Sequence, residues 1–102
     1  MSDTRASVPD MPLSDVTRSS VLTAMEEFDR IGREAFLKKY GFGPAHEYVV
    51  VHEGRAYDSK AIVGVAHGAA TGRALERDEF SGGLSGAAAA LDSLGFEIYR
   101  RL

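Results

Sequence analysis

An amphipathic pattern opens the folded part of the sequence. Apolar side chains recur roughly every three to five residues at Leu13, Val16, Val21, Met25 and Phe28. This spacing predicts a helix with one buried face, which Ser14 or Asp15 can cap. After Gly32 the pattern predicts a second, shorter helix over residues 33–40, which Gly41 closes.

The strongest strand signal lies at residues 48–51, where a tyrosine is followed by three valines. Such a run is typical of a strand that is buried on both faces. Glu53 and Gly54 form a two-residue turn, so the chain is expected to return antiparallel from residue 55. A last alternating segment most simply joins this hairpin. The predicted sheet therefore consists of residues 47–52, 55–58 and 96–100.

Two further helices complete the predicted fold. Asp58 and Ser59 can cap a third helix over about residues 60–70, and Gly72 can end it. A charged loop then leads to an alanine-rich fourth helix over residues 84–94. The resulting order, α-α-β-β-α-α-β, predicts an α+β fold with a small, mainly antiparallel three-stranded sheet and four helices.

The length of the chain and its N-terminus bear on organisation and location. A chain of 102 residues can bury one core, so residues 13–102 are expected to form a single α/β domain. Residues 1–12 are polar, contain two prolines and lack periodicity, which predicts a flexible tail and not a signal or transit peptide. No apolar run is long enough to span a bilayer. We therefore expect a cytoplasmic protein without a membrane partner.

Charge and residue content exclude several classes of function. The chain carries 12 basic and 15 acidic side chains, a formal net charge of −3, which argues against a polybasic nucleic-acid coat but leaves room for a local anion site. Without cysteine there is no disulfide, thiolate zinc site or cysteine nucleophile. The spacing of His46, His52 and His67 matches no metal motif, and no nucleophile elbow or catalytic carboxylate pair is evident. The sequence predicts no metal, no cofactor and no catalysis by this domain.

The first turn of the predicted third helix carries a candidate anion site. Lys60 faces the positive end of the helix dipole there, an arrangement that costs up to about 1 kcal/mol unless an anion shares the site. Free backbone N–H groups and the Ser59 hydroxyl offer further donors. Arg55 and Tyr57, two residues apart, are expected on one side of the preceding strand. The alternative interpretation is that Lys60 is solvated and that Ser59 only caps the helix.

The glycines after residue 80 suggest a second candidate cradle. Ser81, Gly82 and Gly83 precede the predicted fourth helix, and their N–H groups are not obstructed by large side chains. Glycine also permits the positive φ that an anion-binding nest requires. The alternative interpretation is an ordinary loop.

Two glycines inside the predicted third helix need an explanation, because each costs about 1 kcal/mol relative to alanine. Gly64 and Gly68 lie four residues apart and share a helix face. Close packing of another part of the backbone is the favoured explanation, and close approach of a ligand is the alternative.

Several short motifs dispersed along the chain point to one family. They are 27–37 (EFDRIGREAFL), 40–43 (YGFG), 57–64 (YDSKAIVG), 67–68 (HG), 80–83 (FSGG) and 94–96 (LGF). From about residue 16 onward the chain resembles the N-terminal head domain of ScoMcrA-like HNH endonucleases, type IV restriction enzymes that cut modified DNA. In those enzymes the readers of modified DNA and the HNH nuclease lie in later domains. The HNH residues are not present in this chain, so the resemblance does not extend the cutting activity to it.

The resemblance implies a role in DNA recognition within a longer enzyme, and the chain's end directly after its last predicted strand suggests a fragment. The resemblance assigns this role first to Tyr57, Ser59 and Lys60, and second to Ser81, Gly82 and Gly83. The expected contacts to double-stranded DNA, plain or modified, involve Arg55, Tyr57, Ser59, Lys60, Ser81, Gly82 and Gly83. The lysine and arginine would bind phosphate, the serine and the loop amides would donate hydrogen bonds, and the tyrosine would pack on a sugar or base.

The alternative function is docking to other domains of the parent endonuclease, or dimerisation, without DNA contact. The arrangement of the surface discriminates between the two. Clustering of Arg55 and Lys60 with a glycine-led helix start favours DNA. An exposed apolar patch of Phe42, Leu75 and Phe80 favours docking.

Overall fold

The computed structural model describes residues 11–45, 47–84 and 86–100. The helices are α1 (Arg18–Ile31), α2 (Arg33–Tyr40), α3 (Ser59–Thr71) and α4 (Ala87–Ser93), and the strands are β1 (Tyr48–His52), β2 (Arg55–Asp58) and β3 (Glu97–Arg100). Short 3-10 helices lie at Met11–Asp15 and Arg77–Glu79. The predicted α+β fold and its order α-α-β-β-α-α-β are confirmed. Most of the predicted tail, residues 1–10, lies outside the described residues.

The sheet has the strand order β2-β1-β3, and both pairings are antiparallel. Val50 lies at its centre, opposite Tyr57 on one side and Ile98 on the other. Because side chains alternate across a strand, these three residues share the face that packs on the helices. Val50 is fully buried there.

The start of α1 differs from the prediction. Thr17, and not Ser14 or Asp15, is its N-cap: the Thr17 hydroxyl accepts a hydrogen bond from the Ser20 N–H (3.0 Å), and the Ser20 hydroxyl accepts one from the Thr17 N–H (2.9 Å). Ser14 and Asp15 belong to the preceding 3-10 helix. This reciprocal cap satisfies two donors at once, which explains why the helix begins only at Arg18.

The fourth helix is also shorter than predicted. It begins at Ala87 and not at residue 84, because the preceding loop folds back over its first turn. The Ala87 N–H donates to the Ser81 carbonyl (2.8 Å), and the Ala88 N–H donates to the Gly83 carbonyl (3.2 Å). Gly86 allows this approach, since a Cβ there would lie 2.0 Å from the Ser81 oxygen. Loop carbonyls thus occupy the helix start.

Helix α3 is the centre of the core. Every residue from Ala61 to His67 is buried, and the helix packs against α1, α4 and the sheet. The largest fully buried side chains around it include Phe36, Leu75 and Leu91. A helix that is enclosed on most sides needs small residues where neighbouring segments approach it.

Gly64 and Gly68 meet that need. A Cβ at Gly64 would lie 2.6 Å from the Phe42 ring, and one at Gly68 would lie 2.9 Å from the Ala74 nitrogen. The Leu75 N–H also donates to the Gly64 carbonyl (3.1 Å), which ties the chain after α3 to the helix. These contacts are the close packing that the sequence favoured as an explanation of the two glycines.

We expect Gly68→Ala to lower the free energy of unfolding by about 1–3 kcal/mol, because the added methyl group collides with backbone atoms of Ala74 that cannot move alone. Helix propensity alone would raise the free energy of unfolding, since it favours alanine over glycine by about 1 kcal/mol, so the expected change has the opposite sign. The matched control is Gly43→Ala, where nothing lies within 4 Å of the added Cβ and φ is not positive. It should be neutral or slightly stabilising in urea denaturation. Equal effects of the two substitutions would contradict the packing explanation.

Candidate functional site

A groove of about 460 Å³ lies at the N-terminus of α3. Three segments form it: the chain between α2 and β1, the first turn of α3, and the glycine loop before α4. Its lining residues are Phe42, Gly43, Pro44, Ala45, Glu47, Tyr48, Asp58, Ser59, Lys60, Ala61, Arg77, Ser81, Gly82 and Gly83. Five of the seven residues that the sequence predicts at the DNA line this groove.

Lys60 supplies the unpaired positive charge of the groove. Its aliphatic stem packs on the glycine loop, where a Cβ at Gly82 would lie 3.4 Å from the Lys60 Cδ. Its ammonium nitrogen lies 5.4 Å from the centroid of the Phe80 ring. Within the described part of the chain, no carboxylate lies within ion-pair distance of this ammonium group. Lys60 is thus a half-buried residue whose stem contacts the glycine loop and whose charge has no ion-pair partner among the described residues.

Ser59 has a different role from the predicted one. Its side chain is buried, and its hydroxyl donates to the Tyr48 carbonyl at 2.8 Å. The hydroxyl therefore ties the start of α3 to β1, and its single proton is not free for a ligand.

Asp58 occupies the N-cap position of α3 without capping the helix. Its carboxylate instead accepts two hydrogen bonds from Arg33 (2.8 and 2.7 Å) and one from the Ala45 N–H (2.8 Å). Burial acts to raise the pKa of Asp58, but these hydrogen bonds outweigh burial and hold the pKa below its ordinary value. The N–H groups of Lys60 and Ala61 are left without a side-chain acceptor among the described residues.

The glycine loop lines the groove but does not form the predicted nest. Neither Gly82 nor Gly83 has a positive φ, and the Gly83 N–H donates to the Ser81 hydroxyl (3.2 Å). The Ser81 and Gly83 carbonyls receive the first N–H groups of α4. A Cβ at Gly82 would make ordinary van der Waals contact with Lys60, and one at Gly83 would do so with Tyr48 and Ser81, so packing does not require glycine at either position.

Arg55 and Tyr57 lie outside the groove. As predicted, they share one side of β2, and both reach Asp29 on α1: Arg55 Nη1 lies 3.1 Å from it, and the Tyr57 hydroxyl donates to it at 2.9 Å. Burial, aided by this hydrogen bond, raises the pKa of Tyr57 to about 12. The Tyr57 ring packs on Phe28 with 3% of the residue exposed. In this position the ring lies in the core and presents no exposed face to a sugar or base.

Tyr48 and Arg77 are among the groove residues that sequence reasoning did not single out. Tyr48 borders the groove next to Gly83, with ring carbon Cε2 3.9 Å from the position of a Cβ there. Arg77 adds a second cation, whose nearest carboxylate among the described residues is that of exposed Asp78 at 3.9 Å. Tyr48 reads as part of a strand and Arg77 as part of a charged loop, so neither carries a sequence signal of its own.

The apolar patch that would favour docking is not exposed. Phe42 and Leu75 are 6% and 2% exposed, and partly buried Phe80 packs on Phe42 with ring centroids 6.2 Å apart. Phe42 and Leu75 belong to the core and Phe80 packs against it, while Phe42 also lines the groove.

The histidines have separate surroundings. His52 packs on Phe96, and buried His67 hydrogen-bonds through Nδ1 to the Arg73 carbonyl at 2.7 Å, while His46 lies outside the described residues. Across the described ranges, no three His, Asp or Glu side chains come together as a metal site. In those same ranges, no helix has the length and apolar character needed to cross a bilayer.

The fold and the groove define a small α+β domain that has a groove between a helix start and a glycine loop, lined by two cations (Lys60 and Arg77) and two carboxylates (Glu47 and Asp58). The chain belongs to the family of ScoMcrA-like N-terminal head domains, whose family model matches residues 14–100. This confirms the resemblance drawn from the sequence motifs. A comparison with curated proteins gives no match.

Among solved structures, the chain is similar to the Type IV phosphorothioation-dependent restriction endonuclease ScoMcrA. The two share 41% sequence identity with a TM-score of 0.62. The similarity covers 85% of this chain and 13% of the solved chain. The present chain thus corresponds to a small part of that much longer protein.

We expect Asp58→Asn to lower the free energy of unfolding at neutral pH by about 1.5–3 kcal/mol, because it removes a charged acceptor. The folded-state pKa of Asp58 lies below its ordinary value of 3.8. The stabilisation from the carboxylate is therefore present above that value and is lost as the pH falls through the folded-state pKa. In urea denaturation, the difference between the parent and the variant should stay constant from neutral pH down to about pH 5 and shrink as the pH is lowered further.

The control for this measurement is Asp92→Asn, which changes an exposed carboxylate. It should show little difference from the parent at any pH. A deficit in Asp58→Asn that stays constant down to the lowest pH would show that the ion pair with Arg33 does not stabilise the fold.

Proposed function

We propose that this chain is a non-catalytic module that binds the DNA backbone as part of a type IV restriction endonuclease. The observation that carries the proposal is the position of Lys60, an unneutralised cation packed into a groove at the start of α3. Membership of the head-domain family and the similarity to a restriction endonuclease supply the context.

A phosphate group suits the chemistry of this groove. The positive end of α3 and the uncapped N–H groups of Lys60 and Ala61 favour an anion, and the Lys60 ammonium can pair with it. Arg77 lies in the same groove and can contact a neighbouring phosphate. Arg55, exposed at the far end of β2, is a separate point of contact and is restrained by Asp29.

The proposed binding is weak and sensitive to salt. With a net charge of −3, the chain as a whole repels DNA, and the attraction comes from a few local cations. Contacts to phosphate carry no sequence information, so the module would position DNA, plain or modified, for reading and cleavage elsewhere in the parent enzyme. Docking to other domains of that enzyme is the competing role.

We expect Lys60→Met to weaken binding to a short duplex by about 1.5 kcal/mol, roughly tenfold in Kd, because one charge-assisted contact is lost. Methionine keeps an aliphatic stem against Gly82, so folding should be unaffected. The salt dependence of log Kd should fall by about one unit, with similar losses for different sequences. Fluorescence anisotropy over a series of salt concentrations measures both quantities.

The matched control is Lys38→Met, an exposed lysine in the last turn of α2. It should change duplex affinity only slightly, since it lies outside the groove. If Lys60→Met binds duplex as well as the parent at low salt, the phosphate site is wrong and docking becomes the better interpretation. If Lys60→Met unfolds the domain, Lys60 is a structural residue.

A further inference from the structure

The N-cap residue of α3 is held away from the helix that it should cap. Aspartate at an N-cap ordinarily accepts hydrogen bonds from the second or third N–H of the helix, which here belong to Lys60 and Ala61. Asp58 makes no such bond. Both of its carboxylate oxygens are bonded to Arg33, and one also accepts from the Ala45 N–H.

Arg33 is well placed to hold this carboxylate. It is the first residue of α2, and its guanidinium approaches Asp58 through Nε and Nη2 in the side-on, two-bond geometry that lysine cannot reproduce. The Asp58 side chain is 5% exposed, whereas the Arg33 side chain is 47% exposed. The aspartate is therefore confined in the core, and a half-exposed arginine determines its direction.

We propose that Arg33 is a positioning residue that keeps the start of α3 open by holding the Asp58 carboxylate away from the helix. The consequence for ligand binding rests on the proposed function, whereas the effect on the helix start does not. The same ion pair also anchors the groove wall, because Asp58 accepts from the Ala45 N–H.

Loss of Arg33 has a specific chemical consequence. It removes both hydrogen bonds that Arg33 donates to the buried Asp58 carboxylate, and the loss of such bonds is costly for a buried charge. The N–H groups of Lys60 and Ala61 belong to the first turn of α3, directly after Asp58, and lack a side-chain acceptor among the described residues. A rotated Asp58 would cap them and would place its negative charge beside Lys60. An internal anion would then compete with an external phosphate.

Amide hydrogen exchange measured by NMR tests the effect on the helix without any ligand. In Arg33→Ala, exchange at Lys60 and Ala61 should slow by about fivefold relative to the parent, the effect of a typical N-cap. In Arg33→Ala/Asp58→Ala, exchange should return to the parental rate or faster. Unchanged exchange in Arg33→Ala would overturn the proposal. If Arg33→Ala does not fold, Arg33→Gln, which keeps the stem of the side chain, replaces it.

Titration with inorganic phosphate and with a short duplex tests the effect on the groove. Arg33→Ala should weaken binding of both by about three- to tenfold, and adding Asp58→Ala should restore most of the loss. The control is Arg33→Ala/Glu34→Ala, which has the same net charge as Arg33→Ala/Asp58→Ala but keeps Asp58. Its binding of phosphate and duplex should stay as weak as that of Arg33→Ala. Equal recovery in both double variants would mean that Arg33 acts only through net charge, which would overturn the positioning role.

The two arms separate the possible failures. If the parent binds neither phosphate nor duplex, the proposed function fails, while slowed exchange in Arg33→Ala still supports the positioning role. If the parent binds duplex and exchange is unchanged in Arg33→Ala, the proposed function stands and the positioning role is wrong.

Discussion

The direct passage from β2 into α3 constrains the whole domain. Asp58 ends the strand and Ser59 begins the helix, with no residue between them. Two polar contacts hold this junction: the Ser59 hydroxyl donates to the β1 backbone, and the Asp58 carboxylate accepts from Arg33 at the start of α2. Because α3 is the central helix of the core, the direction that this junction imposes determines where α1, α4 and the glycine loop can pack.

The junction also explains why a polar groove exists beside a tightly packed core. The buried side chains of Asp58 and Ser59 are both hydrogen-bonded to partners within the fold, as burial requires. Because the Asp58 and Ser59 side chains bind these partners, neither caps the first turn of α3, and the helix start remains open. The charge of Lys60 lies beside this opening, held by its packing on Gly82 and near the Phe80 ring. Asp58 and Ser59, whose side chains stabilise the core, are therefore followed directly by Lys60, which supplies a charge in the groove.

Small residues determine how the groove is enclosed. Gly64 and Gly68 let the chain after α3 lie directly on the helix, and Gly86 lets the loop carbonyls reach the first turn of α4. That chain includes Phe80, whose ring lies near the Lys60 ammonium, and Arg77, which lines the same groove. Substitution within α3 would move a wall of the groove even though neither glycine lines it. Packing inside the domain and the shape of its surface are coupled through these contacts.

The sequence by itself determined the element order, the sheet, the stops at Gly41 and Gly72, and the family, because periodicity, turn residues and short motifs are local properties. It also singled out Lys60, since a cation in a first helical turn is a local electrostatic conflict. Only the tertiary structure decided which neighbours share its groove. Tyr57 lies in the core, where it contacts Asp29 and Phe28, and the Ser59 hydroxyl donates to the Tyr48 carbonyl of β1. Arg33 and Asp58, 25 residues apart, formed the pair at the helix start. Such pairings depend on contacts between distant segments, which no local pattern encodes.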